Sequence, residues 1–455
     1  MQKKKSVGYG LRGWLLILWI ATAFLAYMVV GNYPLNILNE LYGGQQTLST
    51  IYTTASVVGI VIQLIFGSRI GRMKSIKKFG VIMGCLTIVA LLGIMLIPGT
   101  DFMAGGPAPT LLLWQGFYAV GTVLSVMYGT FALSILVGQW FPTKKGSVMG
   151  IATLAFPLGN GVIGAFAAAA FPENSMPNIA GAFIPFLIII IVGLIIGIAF
   201  VPDYPEQVGC FRDNDANMTP EMAKAMMEEE IENRKTTVWK LNHTLTTRDF
   251  WFLTIPAGFL LMLSVGTMTQ TQPILGQMGE GLNQFGGFAG VMLMIMIFGL
   301  IGSFVLGILD QKLGTKKSML IACVIMVIAG VLGMVSSPDQ PGLLVAALIC
   351  LALFMGASSN YTVSLAAQYW RREDFPTVFA AVNPIANIIN AFGPMIVAIV
   401  MISSGYNNIF TMTLILGVIS VVLLLLVRPS HIKEKDDEFR KAAGKPLDDA
   451  LVGRK

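Results

Sequence analysis

Hydrophobic residues in this chain gather into long unbroken runs rather than alternating with polar ones. A helix needs about 20 apolar residues to cross roughly 30 Å of hydrocarbon, so each run of that length predicts a membrane span. Twelve such runs occur, at 14 to 33, 47 to 68, 79 to 97, 109 to 138, 147 to 171, 180 to 201, 251 to 277, 285 to 308, 318 to 336, 342 to 369, 376 to 402 and 407 to 427. The pattern predicts an all-α integral membrane protein with twelve transmembrane helices. Composition agrees: of 455 residues, 55% are hydrophobic and only 12% are charged, far from the balance of a soluble domain.

Charge placement checks that count independently, because short cytoplasmic loops collect Lys and Arg. With the N-terminus inside, all 30 Lys and Arg residues fall in the segments drawn as cytoplasmic. The loops drawn as external carry only acids: Glu40, Asp101, Glu173, Glu280 and Asp339. This predicts both termini in the cytoplasm and a multi-pass protein of the plasma (inner) membrane. The net charge of +6 then describes a basic rim facing anionic headgroups, and no basic stripe with interleaved aromatics suggests nucleic acid. The "MQKKK" start resembles a signal peptide, but the run after it is about 20 residues long and a small-residue cleavage site is not evident, so it is taken as the first span. Cys85, Cys323 and Cys350 lie in spans, Cys210 lies in a cytoplasmic loop, and no CxxC pair occurs, so neither a disulfide nor a zinc site is expected. His243 and His431 are both drawn as cytoplasmic, which argues against a metal or histidine proton relay at membrane depth.

A long polar segment at 202 to 250 separates six spans from six. The expected organisation is an N-terminal six-helix bundle at 1 to 201, a central loop at 202 to 250, a C-terminal bundle at 251 to 428 and a tail at 429 to 455. Within the loop, Thr219, Pro220 and Glu221 read as the start of a surface helix ending near Arg234 and Lys235. The tail is charged and weakly patterned, and is expected to be largely disordered. The halves echo each other at "GSRIGRMKSIKK" and "GILDQKLGTKK", where a shift of 239 positions pairs Ser75 with Gly314, Lys77 with Lys316 and Lys78 with Lys317. A second echo pairs "GQWFPTKKG" with "AQYWRREDF".

Twelve spans, a long middle loop and "LDQKLGTKK" together resemble the major facilitator superfamily, with Asp310, Lys312, Gly314, Lys316 and Lys317 matching its loop signature. The first-half copy departs from it, having Gly71 where the acid belongs. The resemblance implies two pseudo-symmetric six-helix bundles, alternating access, a small-molecule substrate and a monomer. A narrower stretch, "QWFPTKKGSVMGIATLAFPLGNG", is similar to the oxalate/formate antiporter group and its organic-anion relatives. Those exchangers carry basic residues in helices eight and eleven; here span eight has none and span eleven has asparagines, which argues against oxalate itself.

None of the twelve spans contains Asp, Glu, Lys, Arg or His, so a transport path must be lined by neutral groups. Depth within each span selects the candidates for binding substrate. Asn160 and Asn390 lie nearest the midplane, and Tyr27, Tyr128, Asn360, Tyr361 and Asn387 within about two turns of it. Gln115, Tyr118, Gln270 and Gln272 lie in the outer halves, Asn383 in an inner half. Asn383, Asn387 and Asn390 share one helical face, and unpaired amides in lipid are costly, so this stripe is expected to line a watery passage. Asp310 is expected to seat at the N-terminus of span eleven, where helix N–H groups attract an anion, with Arg371 or Arg372 pairing to it. Arg69, Arg72 and Lys312 complete the basic loops of that cytoplasmic gate.

The expected function is therefore secondary transport of a small organic solute. The resemblance favours a carboxylate or other organic anion, which stands first because amides, tyrosines and the positive ends of broken helices can bind a single carboxylate; the charge-free spans favour a neutral, zwitterionic or amphipathic solute as the alternative. Uniport or exchange fits the missing carboxylate better than proton symport. No GxxxxGK[ST] motif is present, so no nucleotide is expected as a partner, and no cofactor is implied. An intramembrane enzyme would need a catalytic acid, base or metal ligand within the spans; a non-transporting sensor on the same body would have a similar sequence.

Overall fold

The computed structural model describes residues 8 to 445 and 447, apart from 39–40, 71–74, 102, 104, 142–143, 160–161, 163–177, 216–217, 220, 223–224, 226–237 and 371–373. The long helices are α1 (Leu11–Leu35), α2 (Gln45–Ile70), α3 (Ile76–Leu96), α4 (Leu111–Trp140), α5 (Ser147–Gly159), α6 (Ile179–Phe200), α7 (Arg248–Met268), α8 (Gly287–Leu313), α9 (Thr315–Met334), α10 (Pro341–Tyr369), α11 (Thr377–Ser404), α12 (Tyr406–Leu426) and α13 (Pro429–Ala442). Ten of them are long and apolar enough to cross a membrane. Of the other two expected spans, the second is the 26-residue α2, and the fifth is described continuously from Ser147 to Gly159. The one sheet among the described residues is a two-stranded hairpin, Thr100–Asp101 against Gly106–Pro107, in the loop between α3 and α4.

Buried apolar side chains form two large clusters. One comes almost wholly from residues 16 to 201, the other from 238 to 432. In the first, α1 packs on α6 and α3 on α4; in the second, α9 packs on α12 and α10, and α8 on α10. The halves meet where α2 runs along α11, and where α5 meets α8 and α10. Lipid tails are as apolar as leucine, so cohesion between such helices depends on close van der Waals packing and on small residues. Two glycines mark these approaches. A Cβ on Gly299 of α8 would stand 2.7 Å from Pro157 of α5, and one on Gly393 of α11 would stand 2.6 Å from the Met262 carbonyl oxygen of α7.

Two helices carry π-helical turns, α1 at Met28–Asn32 and α4 at Val126–Ala132. A π turn inserts an extra residue into the ladder and disturbs the local i−4 bonding. Polar side chains take up carbonyls there: the Tyr118 hydroxyl donates to Gly31 O at 2.7 Å, and Thr130 Oγ1 to Val126 O at 2.7 Å.

The echo between the halves is physical. Lys77 Nζ donates to Ile198 O near the end of α6 at 2.7 Å, and Lys316 Nζ to Val427 O at the end of α12 at 2.9 Å. Both ammoniums meet orphan carbonyls at a helix C-terminus, where the macrodipole favours a cation. The adjoining helix starts are also fastened alike. Ser75 Oγ and Lys77 N–H donate to Asp203 at 2.6 and 2.8 Å, and Thr315 N–H to Gln368 Oε1 at 2.6 Å.

The tail departs from expectation. Pro429–Ala442 is a helix with Ile432, Asp436 and Arg440 buried, rather than disordered chain. Trp239 Nε1 donates to Asp436 Oδ1 at 2.9 Å, Arg440 Nε to Asp436 Oδ2 at 3.2 Å, and His431 Nδ1 lies 2.6 Å from Asp249 Oδ2. His243 stacks on Phe439 with ring centroids 4.1 Å apart. The tail's charges have buried partners about 190 positions upstream, which local composition does not reveal. In the central loop, Thr219 Oγ1 accepts from Met222 N–H at 3.3 Å, as an N-cap does; most of the helix expected after it lies outside the described residues.

Candidate functional site

A cavity of about 800 Å³, its mouth included, lies between the halves. The π turns of α1 and α4, the kinked α11 and the facing stretches of α5, α7 and α10 line it. No Asp, Glu, Lys, Arg or His is among its described lining residues.

The α11 wall carries the amides. Pro384 within the helix and Pro394 beyond Ala391 interrupt its bonding, while spacings of four and three keep Asn383, Asn387 and Asn390 on the cavity side. Asn387 Nδ2 donates to Asn383 O at 2.8 Å and to Asn383 Oδ1 at 3.0 Å, and Thr362 Oγ1 donates to Asn383 Oδ1 at 3.2 Å. The Asn390 amide sits beside the Tyr27 hydroxyl, which bonds Tyr52 OH at 2.8 Å. Asn390 Oδ1 is buried with no hydrogen-bond partner among the described residues. A buried carbonyl oxygen left without a donor carries a cost of about 1–3 kcal/mol, and its partial negative charge repels an anion.

The opposite wall is apolar and polarizable. Phe24 and Phe156 lie 5.2 Å apart at 48°, Tyr27 meets Phe156 edge-on at 6.4 Å, and Met28 and Met149 complete it. Thr130 and Ser134 on α4, and Ser359 and Thr362 on α10, add hydroxyls.

Of the residues expected to bind substrate, Tyr27, Asn383, Asn387 and Asn390 line the cavity. Tyr118 is spent on Gly31, Tyr128 accepts from Trp19 Nε1 at 2.9 Å, and Tyr361 bonds Ser318 Oγ at 2.9 Å, all three fully buried between helices of one half. Asn360 Nδ2 donates to Thr153 Oγ1 at 3.2 Å, tying α10 to α5 beside the cavity rather than facing into it. Gln115 Nε2 reaches Tyr42 O at 3.4 Å, Gln272 is exposed, and Gln270 is buried at the start of the short helix after α7; none of the three lines the cavity. Asn160 lies outside the described residues. The described ones face other directions, because an all-apolar helix does not announce which side meets its neighbours. The spacing rule that marks the asparagines also fits Thr130 with Ser134, which the sequence reading passed over; the methionines and phenylalanines look like ordinary packing.

The expected latch is arranged differently. The Asp310 carboxylate lies beside the side chains of Ser364 on α10 and Thr315 on α9, with its Oδ1 buried and without a hydrogen-bond partner among the described residues. The acid at the start of α11 is Asp374, buried, with Arg440 Nη2 of α13 at 3.7 Å. A local carboxylate already holds the place where an anion is favoured, which removes the reason for Asp310 to reach across. Lys312 is exposed, and Arg72, Arg371, Arg372 and the Arg69 side chain lie outside the described residues.

A sequence profile described as Major Facilitator Superfamily matches residues 15–339 and again 287–452. The chain belongs to the major facilitator superfamily. That superfamily consists of membrane transporters, so the chain is a multi-pass membrane transporter of this type, with an all-α fold. No curated protein matches it.

Proposed function

We propose that the chain moves a small neutral or amphipathic organic solute through the cavity between its halves, by alternating access and by uniport or exchange. The observation that carries this is the lining: asparagine amides on α11, hydroxyls on α4 and α10, rings and thioethers around them, and no Asp, Glu, Lys, Arg or His among the described residues. The orphan Asn390 Oδ1 calls for a solute that brings a hydroxyl, amide or amine N–H. The organic-anion reading keeps one observation: Asn383 spends its oxygen on Thr362 and Asn387, leaving its Nδ2 as a donor for a single carboxylate. In this reading the protein sits in the plasma (inner) membrane with its basic face and both termini cytoplasmic, and the working unit is a monomer.

The test is counterflow in proteoliposomes. Trans-stimulated uptake of neutral hydroxy- or carboxamide-bearing solutes, unchanged by a pH gradient, is the expected result. Uptake that requires an inward proton gradient overturns the uniport or exchange reading, and preference for dicarboxylates overturns the solute class. Binding without any flux favours a sensor.

A further inference from the structure

The cavity's two walls differ in chemistry, and the difference bears on the shape of the solute. Phe24, Tyr27 and Phe156 form a connected aromatic wall, with ring pairs at 5.2 and 6.4 Å and inclinations of 48° and 87°. Met28, Met149 and Met355 are buried at 1%, 4% and 4% exposure and line the same space, as does Met268 at the end of α7 at 3%. An aliphatic solute would be served as well by leucine and valine, which α7 supplies at Leu261 and Val265. Rings and thioethers add something that aliphatic walls do not. Aromatic pairs favour offset or edge-on contact, and sulfur makes favourable contacts with ring edges. The amides of α11 border this wall, with Asn390 beside the Tyr27 hydroxyl, so a ring against the aromatic side presents its polar substituent to Asn383, Asn387 or Asn390.

We infer that the solute carries an aromatic ring, held among Phe24, Tyr27, Phe156 and the thioethers of Met28, Met149 and Met355, with a hydrogen-bonding substituent directed at the α11 asparagines. This rests on the proposed neutral or amphipathic solute and narrows it. Ring saturation is the discriminating change, because a saturated ring is more hydrophobic than its aromatic counterpart. A merely greasy cavity therefore prefers the saturated compound.

The experiment measures binding of 2-naphthamide and of its perhydro analogue, decahydronaphthalene-2-carboxamide, to the purified full-length protein by thermal stabilisation across a concentration series. The expected result is binding of the aromatic amide at least about three-fold tighter, a preference of the size that sulfur and ring contacts supply. Met149→Leu, and the triple Met28→Leu, Met149→Leu, Met355→Leu, keep the volume and remove the sulfur. In these variants the ratio is expected to fall toward one, with the perhydro amide still bound. Equal or tighter binding of the perhydro amide by the wild type overturns the ring inference and leaves the neutral-solute reading standing. Failure of both amides to bind overturns both.

Discussion

In the N-terminal half a lysine in the first turn of α3 seals the end of α6; in the C-terminal half a lysine in the first turn of α9 seals the end of α12, at 2.7 and 2.9 Å. At the cavity the same halves diverge. The first distorts its backbone by π turns in α1 and α4 and offers the Phe24, Tyr27 and Phe156 ring cluster; the second distorts α11 with prolines and offers the Asn383, Asn387 and Asn390 stripe. What sets helix geometry is repeated, whereas what meets the solute is not. An asymmetric site on a repeated frame suits a ligand with two unlike ends.

The largest effect that would sharpen this comparison belongs to the C-terminal half alone. Arg440→Ala leaves Asp374 and Asp436 buried without that cation, and is expected to cost about 3 kcal/mol or more. Thermal unfolding in detergent measures it, and a loss below about 0.5 kcal/mol, the range of surface changes, would show that α13 is not integral to that half. Next comes the paired tyrosine test. Tyr118→Phe strips the hydroxyl donor from Gly31 O in the π turn and is expected to cost about 1–3 kcal/mol. Tyr361→Phe should cost less, because Ser318 Oγ keeps its bond to Leu306 O at 3.0 Å. The reverse order would mean that the π turn does not depend on its side-chain donor. The smallest effect tests the repeat itself: Lys77→Met and Lys316→Met should each cost about 0.3–1 kcal/mol. As sites in separate halves they should add to within about 0.5 kcal/mol in the double variant.

Much of the frame was legible in the sequence, because lipid imposes length and the basic residues mark one side. Lys77 and Lys316, paired by a shift of 239 positions, occupy matching places. The Asn383, Asn387 and Asn390 stripe was legible for a related reason: three amides on one face of an apolar helix have few places to go. The tyrosines were not. Depth can be counted along a span, but Tyr128 turns to Trp19 and Tyr361 to Ser318 through packing that no single helix encodes. Nor was α13, whose only large apolar groups are Ile432 and Phe439 and whose charges gain partners from residues near 239 to 249 and 374.

The most direct test of the central claim is ligand-induced thermal stabilisation of the wild type beside Asn390→Ala, with 2-naphthamide as the neutral probe and oxalate as the dianion. The account predicts that the amide raises the melting temperature of the wild type, that the variant loses most of that rise, and that oxalate shifts neither. Stabilisation by oxalate, or an equal response of the variant to the amide, would contradict it.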